Sequence, residues 1–142
     1  MQVKDLMMRH VVCVSPEDSV SSAAILLRRY NVGALPVLSR EGKLRGMVTD
    51  RDIVTRCVAE DELPETSRVR EIMTRGIVTV DEDADVREAA RLMAGGRIRR
   101  LPVMRGDLVV GMLSLGDLTR AHTARAELSA ALAEICEKGD RR

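Results

Sequence analysis

The sequence contains no phenylalanine and no tryptophan, and Tyr30 is its single aromatic residue. Recognition of a nucleobase by stacking on aromatic rings is therefore excluded. The apolar core must be assembled from Val, Leu, Ile, Ala and methionine, whose flexible thioether fills irregular gaps. Excess charge of one sign is missing too, with 23 Lys and Arg standing against 22 Asp and Glu. That balance lacks the basic footprint of a nucleic-acid binder, so no nucleic-acid partner is expected. No apolar run approaches the roughly 20 residues of a membrane-crossing helix. The opening MQVKDLMMRH also lacks the apolar stretch of a signal peptide. Cys13, Cys57 and Cys136 are odd in number, widely spaced and without C-x-x-C pairing. Reduced thiols in a cytoplasmic protein free of membrane are the expectation.

What is present is present twice. Residues 3–55 read VKDLMMRHVVCVSP…NVGALPV…LRGMVTDRDIVT, and residues 69–120 read VREIMTRGIVTVDE…GRIRRLPV…VVGMLSLGDLTR. A slide of 66 positions lays Met7 on Met73, Val14 on Val80 and Leu35-Pro36-Val37 on Leu101-Pro102-Val103. One residue is lost in the following turn, after which Gly46-Met47 matches Gly111-Met112 and Asp52 matches Asp117. A repeat fixes architecture before single residues are interpreted. Units of about fifty residues bury only about 60% of their unfolded surface, so the halves are expected to share a core. A cleft between two such units is a natural ligand site, and it would occur in duplicate.

The pattern predicts helix–strand–helix–strand–strand–helix in each copy, an α/β (α+β) chain. Val3–Met8 and Val69–Met73 read as short opening helices, the second with Thr66 and Ser67 as N-caps. The β-rich runs Val11–Val14 and Ile77–Val80 end in turn residues. Val20, Ala23, Ala24 and Leu27 then recur at helical spacing, as do Val86, Ala89, Ala90 and Met93. Asp85 with Glu88 resembles a capping box, and Asn31–Gly33 and Gly95-Gly96 are expected to stop these helices. Ala34–Leu38 with Leu44–Val48, and Arg100–Met104 with Leu108–Leu113, predict strand pairs, with helices beginning at Asp50 and Leu115. The boundaries are 3–58 and 69–121 for the two units, 59–68 for a linker, and 122–142 for a C-terminal helix and tail. Leu128, Leu132 and Ile135 form a stripe on that helix, with a frayed end expected at Gly139–Arg142.

Chemistry is concentrated in Gly46-Met47-Val48-Thr49-Asp50-Arg51-Asp52 and Gly111-Met112-Leu113-Ser114-Leu115-Gly116-Asp117. Both fit G-x-x-[ST]-x-x-D at a strand-to-helix junction. A hydroxyl followed three residues later by a carboxylate also makes a helix capping box. The same pair can meet the vicinal hydroxyls of a ribose, because the carboxylate accepts and the hydroxyl donates or accepts. A preceding glycine permits close backbone approach. Both readings stand for these residues taken singly, and their recurrence favours a ligand.

The opening V-x-[DE]-[LI]-M, the L-P-V strand and the [ST]-x-x-D ending, in that order and twice over, resemble tandem CBS domains, the cystathionine β-synthase type of regulatory module. The resemblance spans residues 3 to 121. It implies two pseudo-symmetric units, each a small three-stranded sheet flanked by helices, packed sheet to sheet around clefts for adenosine-type ligands. It carries ribose binding to Thr49 and Asp52 at one site, with Asp50 and Arg51 between them, and to Ser114 and Asp117 at the other. It gives recognition of the base edge to the backbone of Cys13, Val14 and Ser15 and of Thr79, Val80 and Asp81. Aliphatic walls would sandwich the base, with Pro36 and Pro102 among the site residues. Arg97, Arg99 and Arg100 precede the second L-P-V strand, where related modules use basic residues to reach phosphates. Solvated arginines at a strand end are the plainer alternative. The first copy has no charge in Asn31–Ala34, so the sites are expected to differ in affinity.

His10 and His122 lack metal-ligand spacing, and no metal is expected. Met7, Met8, Met47, Met73, Met93, Met104 and Met112 lie at core-like positions. Walker loop, nucleophile elbow and paired catalytic acids are all missing, so no catalytic residue is assigned and no enzyme is expected. The resulting expectation is a stand-alone sensor binding AMP, ADP or ATP reversibly and requiring no cofactor. It would act on a protein target in trans, as a homodimer helped by the C-terminal stripe. S-adenosylmethionine or NADH as ligand, or a ligand-free interaction module, are the alternatives.

Overall fold

The computed structural model describes residues 1–121 and 125–140. A 3-10 turn, Val3–Asp5, opens the chain, followed by α1 (Val20–Tyr30), β1 (Ala34–Leu38), β2 (Leu44–Thr49) and α2 (Asp50–Ile53). The last runs on as a π-helical turn, Val54–Val58. The second copy repeats the order as α3 (Val69–Ile72), β3 (Val80–Asp81), α4 (Val86–Gly96), β4 (Arg100–Arg105), β5 (Leu108–Ser114) and α5 (Leu115–Leu118), before α6 (Arg125–Asp140).

The helices begin and end by side-chain chemistry that periodicity only partly reveals. Ser19 Oγ accepts from Ser22 N at 3.0 Å to start α1. At the start of α4, Asp85 Oδ1 accepts from Arg87 N at 2.8 Å, and Glu88 closes no box. The cap of α3 is likewise neither Thr66 nor Ser67: Arg68 precedes the helix, and Glu71 Oε1 accepts from its N–H at 2.8 Å. Gly95 and Gly96 lie inside α4, and the left-handed residue that ends it is Arg97, with φ 54°. Asn31, with φ 52°, does the same for α1. The short polar side chain of Asn tolerates this conformation, whereas Arg adopts it at a cost.

Strand pairing is governed by the two prolines. β1 pairs antiparallel with β2, and Val14 joins the other edge of β1 through Val14 N to Pro36 O at 3.1 Å and Leu38 N to Val14 O at 2.9 Å. The next bond of that parallel ladder would be donated by residue 36, which as proline has no N–H. The expected strand Val11–Val14 is thereby cut to a single bridge. Pro102 limits the second copy in the same way, and β3 is two residues long, parallel to β4, with β5 beyond in the order β3-β4-β5.

Two compact units divide the chain. The central unit is Val12–Ile77, and the terminal unit joins Met1–Val11 to the residues from Val78 onward. The opening segments are thus exchanged between repeats. Val69, Ile72 and Met73 fill the core around Val14, Val20, Leu27, Leu35 and Val48. Val3, Leu6 and Met7 fill the core around Val80, Val86, Met93, Leu101 and Leu113. The shared core expected from size is realised as two clusters, each drawing on both repeats.

The exchange is held by backbone bonds at the outer edge of each sheet. Thr74 and Met47 exchange two hydrogen bonds at 2.8 and 3.0 Å, and Met8 and Met112 do likewise at 2.8 and 3.0 Å. Met8 therefore contributes its backbone while its side chain is exposed, against the core position expected for it. Glycine is required at both crossings. A Cβ on Gly46 would lie 2.5 Å from Thr74 O, and one on Gly111 would lie 2.6 Å from Met7 Sδ and 2.9 Å from Met8 O. The close approach that these glycines permit is that of the exchanged segment.

In the terminal unit α6 packs against α4. Ile135 is buried there and Leu132 is exposed, so the stripe expected to face another copy is split. The side chain of Leu128, residues 122–124 with His122, and Arg141 and Arg142 of the tail lie outside the described residues.

Gly46→Ala is expected to lose about 1–3 kcal/mol in urea unfolding, because rigid backbone must shift to admit the methyl group. Gly95→Ala, with open space around the added methyl, should gain about 1 kcal/mol from helix propensity. The Asp85 carboxyl is lowered to about 2 by the Arg87 side chain and then by its backbone N–H. A depressed carboxylate stabilises fully above its unfolded value of about 4, and that contribution is lost as pH falls towards the folded value. Asp85→Asn keeps a capping residue, so its unfolding midpoint should fall less steeply than wild type between about pH 5 and pH 2.

Candidate functional site

In each unit the hairpin brings the end of one strand beside the start of its partner, Thr49 opposite Ala34 and Ser114 opposite Arg100. The helix that follows is anchored there by Asp50 N to Gly33 O at 3.1 Å and by Leu115 N to Arg99 O at 2.7 Å. Both [ST]-x-x-D motifs are complete capping boxes. Thr49 Oγ1 accepts from Asp52 N at 3.0 Å and Asp52 Oδ2 accepts from Thr49 N at 3.0 Å. Ser114 and Asp117 repeat the pattern at 3.1 and 2.8 Å.

The boxes do more than cap. The Thr74 hydroxyl donates to Asp52 Oδ1 at 3.3 Å, and Arg56 Nε lies 3.9 Å from the same oxygen. Arg56 also donates to the carbonyls of Ile72 and Met73 at 3.1 and 3.3 Å, where α3 ends. In the terminal unit Arg120 bridges Asp117 Oδ1 at 3.1 Å and Leu6 O at 2.9 Å. Each motif carboxylate thus faces an arginine that grips the exchanged segment, through a charge-assisted hydrogen bond at Asp117 and a longer ion contact at Asp52. Thr74, Arg56 and Arg120 carry no motif. Arg56 and Arg120 stand four and three residues beyond the carboxylates, at a helical spacing present within each repeat, whereas Thr74 reaches Asp52 only through the exchange.

What the protein leaves unused is consistent within each unit. Thr49 and Ser114 hydroxyls accept a bond but donate none among the described residues. Val14 and Val80 turn into the core, and their neighbours Ser15 and Asp81 are committed to turns. Asp18 Oδ2 accepts from Ser15 N at 2.9 Å, and Asp81 Oδ1 accepts from Asp83 N at 2.8 Å. The backbone groups of Cys13 and Thr79 have no partner among the described residues, because alternate residues of a parallel pair turn their N–H and C=O groups away from the neighbouring strand. Pro36 and Pro102 are themselves buried in the middle strands. Val14 sits opposite Val37, which places Cys13 beside Pro36, two residues along β1 from Ala34, so the free first-strand backbone and the hydroxyl are separated by about 7 Å along the sheet.

The remaining candidates divide. Asp50 and Arg51 are exposed on α2, with Asp50 Oδ1 accepting from Arg51 N at 2.8 Å. Arg99 and Arg100 are exposed beside Ser114. Arg97 is turned to α6, its Nε 3.5 Å from Glu134 Oε2. Cys13 and Cys136 are exposed and Cys57 is buried, all as free thiols. Among the described residues no three His, Cys, Asp or Glu side chains are grouped to hold a metal, and no helix is long and apolar enough to cross a membrane.

Duplicated α/β units with this order, each ending in a hydroxyl–carboxylate box beside open strand backbone, define a paired ligand-binding module of the regulatory type. The CBS-domain model matches residues 3–59 and 69–123, and the chain belongs to the CBS-domain family as a tandem pair. It is 38% identical over 133 residues to the CBS domain-containing protein YhcV of Bacillus subtilis, covering 94% of each chain. The crystal structure of Hypoxic Response Protein I with two coordinated zinc ions is 32% identical, with a TM-score of 0.79 over 85% of this chain and 98% of that one. The CBS domain pair of protein MJ0100, in complex with 5′-methylthioadenosine and S-adenosyl-L-methionine, is 29% identical, with a TM-score of 0.77 over 88% and 98%.

Thr49→Ala should lose about 1 kcal/mol through the missing cap. Asp52→Ala should lose more, since it also leaves the Thr74 hydroxyl without its acceptor and removes the charge beside Arg56. Urea unfolding of the two variants side by side measures the difference.

Proposed function

We propose that this protein is a sensor that reversibly binds an adenine nucleotide of the AMP, ADP or ATP class and passes the signal to a protein target in trans. The observation that carries the reading is the coincidence, in each unit, of an undonated hydroxyl beside a carboxylate with unpaired backbone at Cys13 or Thr79. The hydroxyl and carboxylate suit ribose, and the strand backbone suits the edge of a base. Arg99 and Arg100 beside Ser114 add guanidinium forks for phosphate. The central unit has no charge at the matching place, Asn31–Ala34, so the Ser114–Asp117 site is the tighter one for phosphorylated ligands. The protein works without catalysis or a resident cofactor, in the cytoplasm and as a homodimer. Ligand shifts its equilibrium only through different affinities for two states. S-adenosylmethionine is the second reading, favoured by the adenosyl compounds bound to the MJ0100 pair.

Thermal unfolding of the full chain against AMP, ADP, ATP, NADH and S-adenosylmethionine tests both. A ligand at about a hundred times its Kd adds roughly 2.7 kcal/mol, a shift of several degrees. Asp117→Asn and the Arg99→Ala/Arg100→Ala pair should abolish the nucleotide shift, while a shift confined to S-adenosylmethionine selects the second reading. No shift with any ligand, from cooperatively unfolding protein, would turn the assignment to an interaction module whose boxes serve only as caps.

A further inference from the structure

The central unit carries a cavity of about 520 Å³ at the turn end of its hairpin. It lies away from the [ST]-x-x-D box, since Leu38 and Leu44 pair at that end while Ala34 and Thr49 pair at the other. Four residues of β1 separate the two places, about 13 Å along the strand. The volume falls in the range of small-molecule sites. Its character is cationic: Arg40, Arg45, Arg70 and Arg75 line it against Glu17 and Glu41, leaving two positive charges in excess. Arg70 Nη1 donates to both oxygens of Glu17. Glu41 is held below the usual carboxylate range by its own backbone N–H and then by the Ser39 hydroxyl, with Arg45 adding to the effect. Arg40 and Arg75 are exposed and have no ion-pair partner among the described residues.

The terminal unit supplies an internal comparison, because the repeat fills the same place differently. Where the central unit has Pro16 and Ser39, the repeat puts Glu82 and Arg105. Those two form a bidentate pair at 2.6 and 3.1 Å, with Glu82 buried. Where the central unit has Glu17 and Arg70, the repeat puts Asp83 and Lys4, paired at 2.8 Å. Arg40 and Arg45 are replaced by Gly106 and Val110. One copy of the position is therefore closed by its own ion pair. In the other, that pair is missing and the guanidinium groups of Arg40 and Arg45 have been added, while Arg75 matches Arg9 of the repeat.

We propose that the cavity of the central unit is a second binding site, separate from the adenosyl site, for a small molecule carrying a multiply charged phosphate or polyphosphate group. Guanidinium forks match phosphate oxygens in geometry and retain their charge at any physiological pH. Two uncompensated charges call for an anion of more than one charge. Arg75 and Met73 come from the exchanged segment, and Arg40 and Arg45 come from the hairpin. An anion spanning them ties that segment to the sheet it packs on, so binding stabilises the central unit.

Titration calorimetry of the full chain with inorganic tripolyphosphate at low ionic strength tests the proposal without any adenosine group. Saturable binding to a single site is expected, weakening about tenfold or more in Arg40→Ala/Arg75→Ala and unchanged in Arg99→Ala/Arg100→Ala. Pro16→Glu with Ser39→Arg installs the ion pair of the other copy and should also remove binding, while unmoved thermal unfolding of the free variants shows that they remain folded. Absence of saturable binding overturns the proposal, as does undiminished affinity in both cavity variants. Loss of binding in Arg99→Ala/Arg100→Ala instead would assign the anion to the adenosyl site and overturn it equally.

Discussion

The exchange of opening segments is the constraint on which the rest of the molecule depends. Neither repeat contains a complete unit: the outer edge of each sheet is paired by the other repeat's segment, and each core is completed by that segment's apolar residues. The crossing is tight enough that a methyl group on Gly46 or Gly111 would meet backbone carbonyl oxygen at under 3 Å. Units this small bury too little surface to be independently robust, and exchange supplies the missing apolar area. It also blunts the exposed outer edge of β2 and of β5, a recurrent hazard for short sheets.

The [ST]-x-x-D boxes sit where that constraint meets chemistry. Capping and ligand recognition were alternatives when the motif was read alone, but its geometry makes them compatible. The amide bonds of the box use the hydroxyl as acceptor and one carboxylate oxygen. The second oxygen faces Arg56 or Arg120, which holds the carbonyls at the end of the exchanged segment. A ligand taking up the free hydroxyl proton at Thr49 or Ser114 would therefore touch the same network that secures the exchange. Such a connection offers a physical route from an occupied site to the stability of its unit.

Duplication followed by divergence accounts for most of what differs between the halves. Residues facing the cores kept their character, as Val14 and Val80 or Leu35 and Leu101 attest. The charged positions drifted. Arginines collect at the start of β4 in one copy and around the hairpin turn in the other, and the Glu82–Arg105 pair has no counterpart at Pro16 and Ser39. Charges at exposed positions change at little cost in stability, which leaves them open to acquire separate roles.

Helical spacing alone located α1 and α4, because burying one face of a helix imposes a period that the residues must carry. Alternation and turn residues located the β1–β2 and β4–β5 hairpins, and the repeated boxes were legible as strand-to-helix junctions at Thr49 and Ser114. Arg97 rather than Gly95 or Gly96 ends α4, since α4 continues through residues that local propensity would use as a stop. The strands expected at Val11–Val14 and Ile77–Val80 shrank because Pro36 and Pro102, far along the chain, withhold the N–H groups that would extend them. Met8 is exposed and Thr74 reaches Asp52 only because the opening segments change places. Local pattern and duplication belong to the sequence, since they follow from which faces must be buried. The pairing of segments, the meeting of Thr74 with Asp52 and the open cationic cavity belong to the tertiary structure, since each depends on groups that only folding brings within bonding distance.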